Sequence, residues 1–169
     1  MSIIIADASP LIALASIDQL DLLKKLYATV LIPDAVKQEL MLDSNMAGAK
    51  RLGLAMNQGW LKLEVCDYPR ESYQQLQYIL DLGEVEAILL AECFATHKDY
   101  RFLLIDERKG RRVAQKRGLL IAGTGVVLLA AKQKQFISSV QKELDAMQRN
   151  GYRLSVALRR KLLEMAGEA

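Results

Sequence analysis

Two kinds of apolar run alternate along this chain: short continuous ones, and longer ones with helical spacing. Ile3-Ile4-Ile5-Ala6 and Phe102-Leu103-Leu104-Ile105 are continuous, which predicts short strands buried on both faces. Thr29–Ile32 is a third such run, closed by Pro33, and Leu119–Ala122 a fourth. Trp60–Cys66 instead alternates, with Leu61, Leu63 and Val65 set against Lys62 and Glu64, and predicts an edge strand.

Between these runs the spacing turns helical. A helical turn is expected over Leu11–Ser16. Gln19–Tyr27 follows as a helix capped by Asp18, with Leu20, Leu23 and Leu26 on its apolar face. Asp34 is placed to cap a helix from Ala35 to about Leu42 that turns Val36 and Leu40 inward. Ala47–Asn57 is a further helix, stopped by Gly59. Glu71–Leu80 should bury Leu76, Ile79 and Leu80, and Gly83 should act as a hinge opening a strongly apolar helix. Glu107–Arg117 reads as a basic helix, and Gly123-Thr124-Gly125 as a tight turn into an apolar helix ending near Lys134. Two last helices, at about 138–149 and 154–166, are divided by Asn150-Gly151. Strands alternating with helices predict a three-layer α/β/α domain on a central, mainly parallel sheet. One domain over 1–169 is expected, with about 138–169 as a helical extension.

Composition narrows the class. The 169 residues are 51% hydrophobic and 25% charged, which suits one packed core rather than a disordered chain. Aromatics at 6% leave little for a base-stacking platform. No apolar stretch is long enough to span a bilayer, and Asp7 interrupts the first apolar run, so neither a membrane span nor a signal peptide is expected. Cys66 and Cys93 lack close spacing; neither a disulfide framework nor a zinc site is suggested, and a reduced, cytoplasmic protein is expected. Charge is divided along the chain. Residues 1–100 carry 8 Lys and Arg against 14 Asp and Glu, whereas residues 101–169 carry 15 against 6. An acidic half joined to a basic half suits a cation pocket beside a surface for polyanions.

The continuous runs Ile3–Ala6 and Phe102–Ile105 each end at an acid, Asp7 and Asp106. Parallel strands would bring both to one carboxyl edge, where open α/β sheets place their ligands. Glu39, beside an apolar helical stripe, and Glu84, in a first helical turn, complete a set of four acids. Crowded carboxylates raise one another's pKa values, and a hard cation such as Mg²⁺ or Mn²⁺ relieves the repulsion. Such a centre can activate water against a phosphodiester, with Ser9 near enough in sequence to assist. Each acid also has a plainer reading: Asp7 as a turn former, Glu39 as a solvated helix residue, Glu84 as a dipole partner, and Asp106 as the cap of the basic helix. Arg108, Arg111 and Arg112, at i, i+3 and i+4 with Lys109 beside them, would hold a phosphate backbone without reading sequence. A merely solvated face is the alternative.

The order Asp7, Glu39, Gly83-Glu84, Asp106 resembles the PIN domain, the fold of many metal-dependent ribonucleases. The segments Asp7–Ile12, Leu82–Ile88, Asp106–Ala114, Gly123-Thr124-Gly125 and Asn150-Gly151-Tyr152-Arg153-Leu154 are similar to the DUF3368 subgroup over nearly the whole chain. The resemblance implies a Mg²⁺- or Mn²⁺-dependent endoribonuclease, commonly the VapC-like toxin of a type II toxin–antitoxin pair, homodimeric and silenced by a small antitoxin. It implies Asp7, Glu39, Glu84 and Asp106 as metal ligands, with Ser9 in support. Two departures stand out. Such toxins carry Asp at the position of Glu84, and often a hydroxyl residue before the fourth acid, where this chain has Ile105. Glu86 and Glu107 are neighbouring acids that could serve as ligands instead. A PIN-like module that binds RNA or a protein with little catalysis is the second reading. An aspartyl-phosphate phosphohydrolase using Asp7 ranks last, because Ser9 stands where its second Asp belongs.

Overall fold

The computed structural model describes residues 2–169. Among these residues five strands form one sheet: β1 (Ile3–Ala6), β2 (Thr29–Ile32), β3 (Leu61–Leu63), β4 (Tyr100–Leu104) and β5 (Ile121–Ala122). They run in the order β3-β2-β1-β4-β5, and every pairing is parallel. Ile4, Ile5 and Ala6 are all fully buried. Successive strand residues point to opposite faces, so β1 is covered on both sides, as its unbroken apolar run requires.

Among the described residues ten helices accompany the sheet: α1 (Ala8–Ser16), α2 (Asp21–Tyr27), α3 (Asp34–Glu39), α4 (Ala49–Asn57), α5 (Arg70–Gln77), α6 (Leu82–Phe94), α7 (Arg108–Lys116), α8 (Thr124–Gln133), α9 (Val140–Arg149) and α10 (Val156–Met165). The chain moves outward from β1 through β2 to β3, then returns to add β4 and β5 on the other side. The reversal opens a crevice at the carboxyl ends of β1 and β4, the topological switch point of a doubly wound sheet. Register fixes what meets there. Ala6 is aligned with Leu104, and the N–H of Asp7 donates to the Leu104 carbonyl at 2.9 Å.

Several local expectations are corrected. Asp18 does not cap α2; it takes a positive φ of 59° and pairs with Arg51 at 2.5 Å, while the helix begins at Asp21. Asp34 is the first residue of α3 rather than its cap. Ile79 lies beyond the end of α5 and is 46% exposed. On β3 the alternation buries Leu61 but leaves Leu63 and Val65 in solvent, since an edge strand that short offers the core one residue. Cys66 and Cys93 are joined by a disulfide between the segment after β3 and the last turn of α6. Their 27-residue separation follows no local spacing rule; the pairing arises from the way the chain folds back on α6, and it removes the ground for expecting reduced thiols. Among the described residues, no helix is long and apolar enough to cross a membrane.

The C-terminus is tied down. Glu168 accepts from the backbone N–H groups of Val140 (2.8 Å) and Gln141 (3.0 Å), the Ser139 hydroxyl (2.8 Å) and Lys132 Nζ (2.9 Å). It thereby caps α9 while holding the end of α10 against α8.

Candidate active site

Asp7 directly follows β1 and stands at the N-cap position of α1, yet its side chain makes no capping bond. It is only 3% exposed, and its Oδ1 is buried without a hydrogen-bond partner. A carboxylate oxygen so placed is costly unless a cation or proton meets it. The turn-former reading of Asp7 therefore lacks the bond that would define it.

Glu39 closes α3 and reaches across to α6, where the Gly83 N–H donates to its Oε1 at 3.1 Å. Gly83 is no hinge: it lies inside α6, and a Cβ there would fall within 2.8 Å of Glu39 Oε2. Glycine is what lets the carboxylate lie on the opening turn of α6. Glu84 is buried in that same turn, facing Gly110 of α7, whose absent Cβ would sit 3.4 Å from the Glu84 carboxyl carbon. The Asp81 N–H donates toward Glu84, which is half of a capping box; the Asp81 side chain makes no return bond and stays free.

Asp106 does not cap the helix that follows it. Its Oδ1 accepts the Thr124 N–H at 2.7 Å and its Oδ2 the Thr124 hydroxyl, at the start of α8. Glu107, not Asp106, stands at the N-cap of α7. The amino ends of α1, α6 and α8 thus all meet at the switch point, where their dipoles favour negative charge.

A family model described as a PIN domain, DUF3368, matches residues 3–168. The chain belongs to this family of PIN domains. No curated protein and no solved structure matches it. PIN domains are in general nucleases, and they typically work with divalent metals.

Electrostatics of this PIN domain agree with a site built for a cation. Burial, more than any other cause, pushes the Asp7 carboxyl up to about 6; the nearby charges of Glu39, Asp106 and Asp81 add to it, and the Ala8 N–H opposes it. Burial likewise lifts Glu84 to about 7, helped by Asp7, Asp81 and Glu107. Glu39 is raised by burial and by Asp81, against the Gly83 hydrogen bond. Asp81 acts on all three, although it is not among the four acids expected from the sequence. Its signal was there: an acid three positions before Glu84, at the mouth of a helix.

Other expected residues lie differently. Glu86 turns away from the cluster; its Oε1 accepts the Ala35 N–H at 2.9 Å and its Oε2 the Tyr73 hydroxyl at 2.6 Å. Glu107 is exposed at the rim, and Ser9 is exposed in the first turn of α1. Ile105, where a hydroxyl residue would be expected, is fully buried; Thr124 brings a hydroxyl to Asp106 from another element.

The donors fit a hard divalent cation in kind. All are carboxylate oxygens, and Asp7 Oδ1, buried without a partner, is the one most in need of positive charge. Among the described residues, no three Asp, Glu, His or Cys side chains close into a ready-made cage. The acids act on one another's charge, whereas ligation needs oxygens at about 2.0–2.6 Å from one ion. Mg²⁺ in particular is often held by one or two carboxylates, with water and substrate phosphate completing its shell.

Proposed function

We propose that this PIN domain is a Mg²⁺- or Mn²⁺-dependent endoribonuclease that hydrolyses RNA phosphodiesters. The observation that carries the reading is Asp7, a buried carboxylate with an unpartnered oxygen at the switch point, crowded by Glu39, Glu84, Asp81 and Asp106. Asp7 and Glu84 are the acids most in need of a counter-charge, so they would hold the cation. Glu39, oriented by Gly83, and Asp106, oriented by Thr124, would complete its surroundings. A cation bound there supplies Lewis acidity toward phosphoryl oxygens and makes water a stronger nucleophile at neutral pH.

The chain's own basic residues would place the substrate. Arg111 Nη1 donates to the Ile105 carbonyl at 2.8 Å, which fixes one guanidinium next to Asp106, and Arg108 and Arg112 line the same cleft. Lys109 is exposed and outside that lining, so it is assigned to the outer course of the backbone. In the organism the enzyme would act as the homodimeric toxin of a type II pair, held silent by a small antitoxin. The direct test is cleavage of single-stranded RNA in Mn²⁺ by the wild type and by Glu84→Gln. Loss of cleavage in the variant is expected, and undiminished cleavage would remove Glu84 from the site.

A non-catalytic RNA- or protein-binding module is the second reading. It is favoured by Asp106, both of whose oxygens are engaged by Thr124. RNA that binds but is never cut, with any divalent cation, would support it.

A further inference from the structure

The segment Asn150-Gly151-Tyr152-Arg153-Leu154 has no part in the acid cluster, yet the fold brings it to the cluster's edge. Gly151, at a φ of 92°, turns the chain between α9 and α10. Past it, the segment forms one wall of a cleft of ≈800 Å³. Into this cleft α7 presents Arg108, Arg111 and Arg112, and the turn presents Arg153. Leu158 and Leu162 of α10 make an apolar side, and Asp106 lies in the lining. The Tyr152 hydroxyl sits beside Asp106 and Thr124.

Four guanidiniums from two separate elements lining one cleft can clamp phosphates bidentately, as lysines cannot. An apolar side between them suits an unstacked base. Cleft and acid cluster share Asp106, so a strand lying in the one runs on into the other. The volume is that of a small-ligand site, enough to seat an unpaired base. We propose that the turn between α9 and α10 completes a subsite for single-stranded RNA flanking the scissile phosphate, in which Arg153 grips a backbone phosphate and Tyr152 is a positioning residue for Asp106. The subsite rests on the nuclease reading for its orientation toward a scissile bond; the grip on RNA does not.

Binding and cleavage are therefore read separately. Affinity for a short fluorescein-labelled single-stranded RNA is measured in EDTA over a series of salt concentrations, for wild type, Arg153→Ala and the exposed α9 control Arg149→Ala. Arg153→Ala is expected to weaken binding about tenfold and to flatten the salt dependence by about one phosphate contact, with Arg149→Ala unchanged. Tyr152→Phe should bind RNA like wild type and, in Mn²⁺, lower kcat without raising KM. Cleavage by a protein whose affinity and salt slope ignore Arg153→Ala would overturn the subsite and leave the nuclease reading standing. Arg153-dependent binding without any cleavage would overturn the nuclease reading and leave the grip on RNA. If poly-glutamate displaces the RNA and itself binds more tightly through Arg153, the cleft is a seat for an acidic protein segment and the subsite is wrong.

Discussion

The Gly83 N–H donates to Oε1 of Glu39 at 3.1 Å, and no side chain fits at position 83 without displacing that carboxylate. The contact joins the end of α3 to the opening of α6. Gly83→Ala separates its structural and functional consequences. Alanine favours the helix by up to about 1 kcal/mol, which roughly offsets the hydrogen bond lost when the flexible Glu39 side chain swings away. Stability by urea unfolding is expected to stay within about 1 kcal/mol of wild type, while RNA cleavage falls by about tenfold or more. Full activity in Gly83→Ala would show that Glu39 has no role in the site.

Asp7→Asn should make the metal-free protein more stable. The substitution removes a buried charge whose Oδ1 has no partner, a change of roughly 2 kcal/mol, or about 4–8 °C in Tm for a chain of this size. Differential scanning calorimetry in EDTA at about pH 7.5, where the native carboxyl is mostly ionised, measures it. An unchanged or lower Tm would mean that Asp7 is better satisfied than the geometry indicates.

The stability of the metal-free protein should also depend on pH in a definite direction. Asp7 rises from 3.8 to about 6 on folding and Glu84 from 4.5 to about 7. The folded state binds these protons more tightly than the unfolded chain, so stability declines as pH climbs from about 4 to about 7. For Asp7, which is almost fully buried, the loss is on the order of 3 kcal/mol. Glu168 has the opposite sign. Burial works against its ionisation, but Lys132, the Gln141 and Val140 N–H groups and Ser139 outweigh it and bring the carboxyl down to about 2 from 4.5. Its contribution is present above the ordinary carboxylate range and is lost as pH falls toward 2. Together these groups place maximum stability in EDTA near pH 4–5. Mg²⁺ should flatten the decline between 4 and 7, because a cation competes with protons for the same carboxylates. A decline that Mg²⁺ leaves untouched would count against cation binding there.

Glu84 and Glu86 should behave oppositely, although two positions apart. Glu86→Gln weakens charge-assisted bonds to the Ala35 N–H and the Tyr73 hydroxyl, so about 1–2 kcal/mol of stability should go with the cleavage rate retained. Glu84→Gln should retain stability and lose cleavage. Paired unfolding and activity assays read both, and the reverse pattern would exchange their roles.

Much of this was legible in the residues. The continuous runs at Ile3–Ala6 and Phe102–Ile105 give central parallel strands, and an acid directly after each gives a pair at one sheet edge. Those features are local, or follow from parallel pairing alone. What could not be read depends on which elements meet. Nothing in the spacing shows that Glu86 faces Tyr73, that the Thr124 hydroxyl holds Asp106 in place of a residue at 105, or that Cys66 reaches Cys93. Asp81 was legible in principle. Its position before Leu82-Gly83-Glu84 is half of a capping box, and the structure shows its carboxylate making no cap bond.

We propose Asp7 as the anchor of a cation-dependent nuclease site. Cleavage of a mixed RNA pool in Mn²⁺, by wild type and by Asp7→Asn, with EDTA added to the wild type as a control, tests it most directly. Wild type alone should cut, while the variant and the chelated sample fall at least about a hundredfold lower. Cleavage that survives both Asp7→Asn and EDTA, or that is absent from the wild type while RNA still binds in a salt-dependent way, would rule out that role for Asp7.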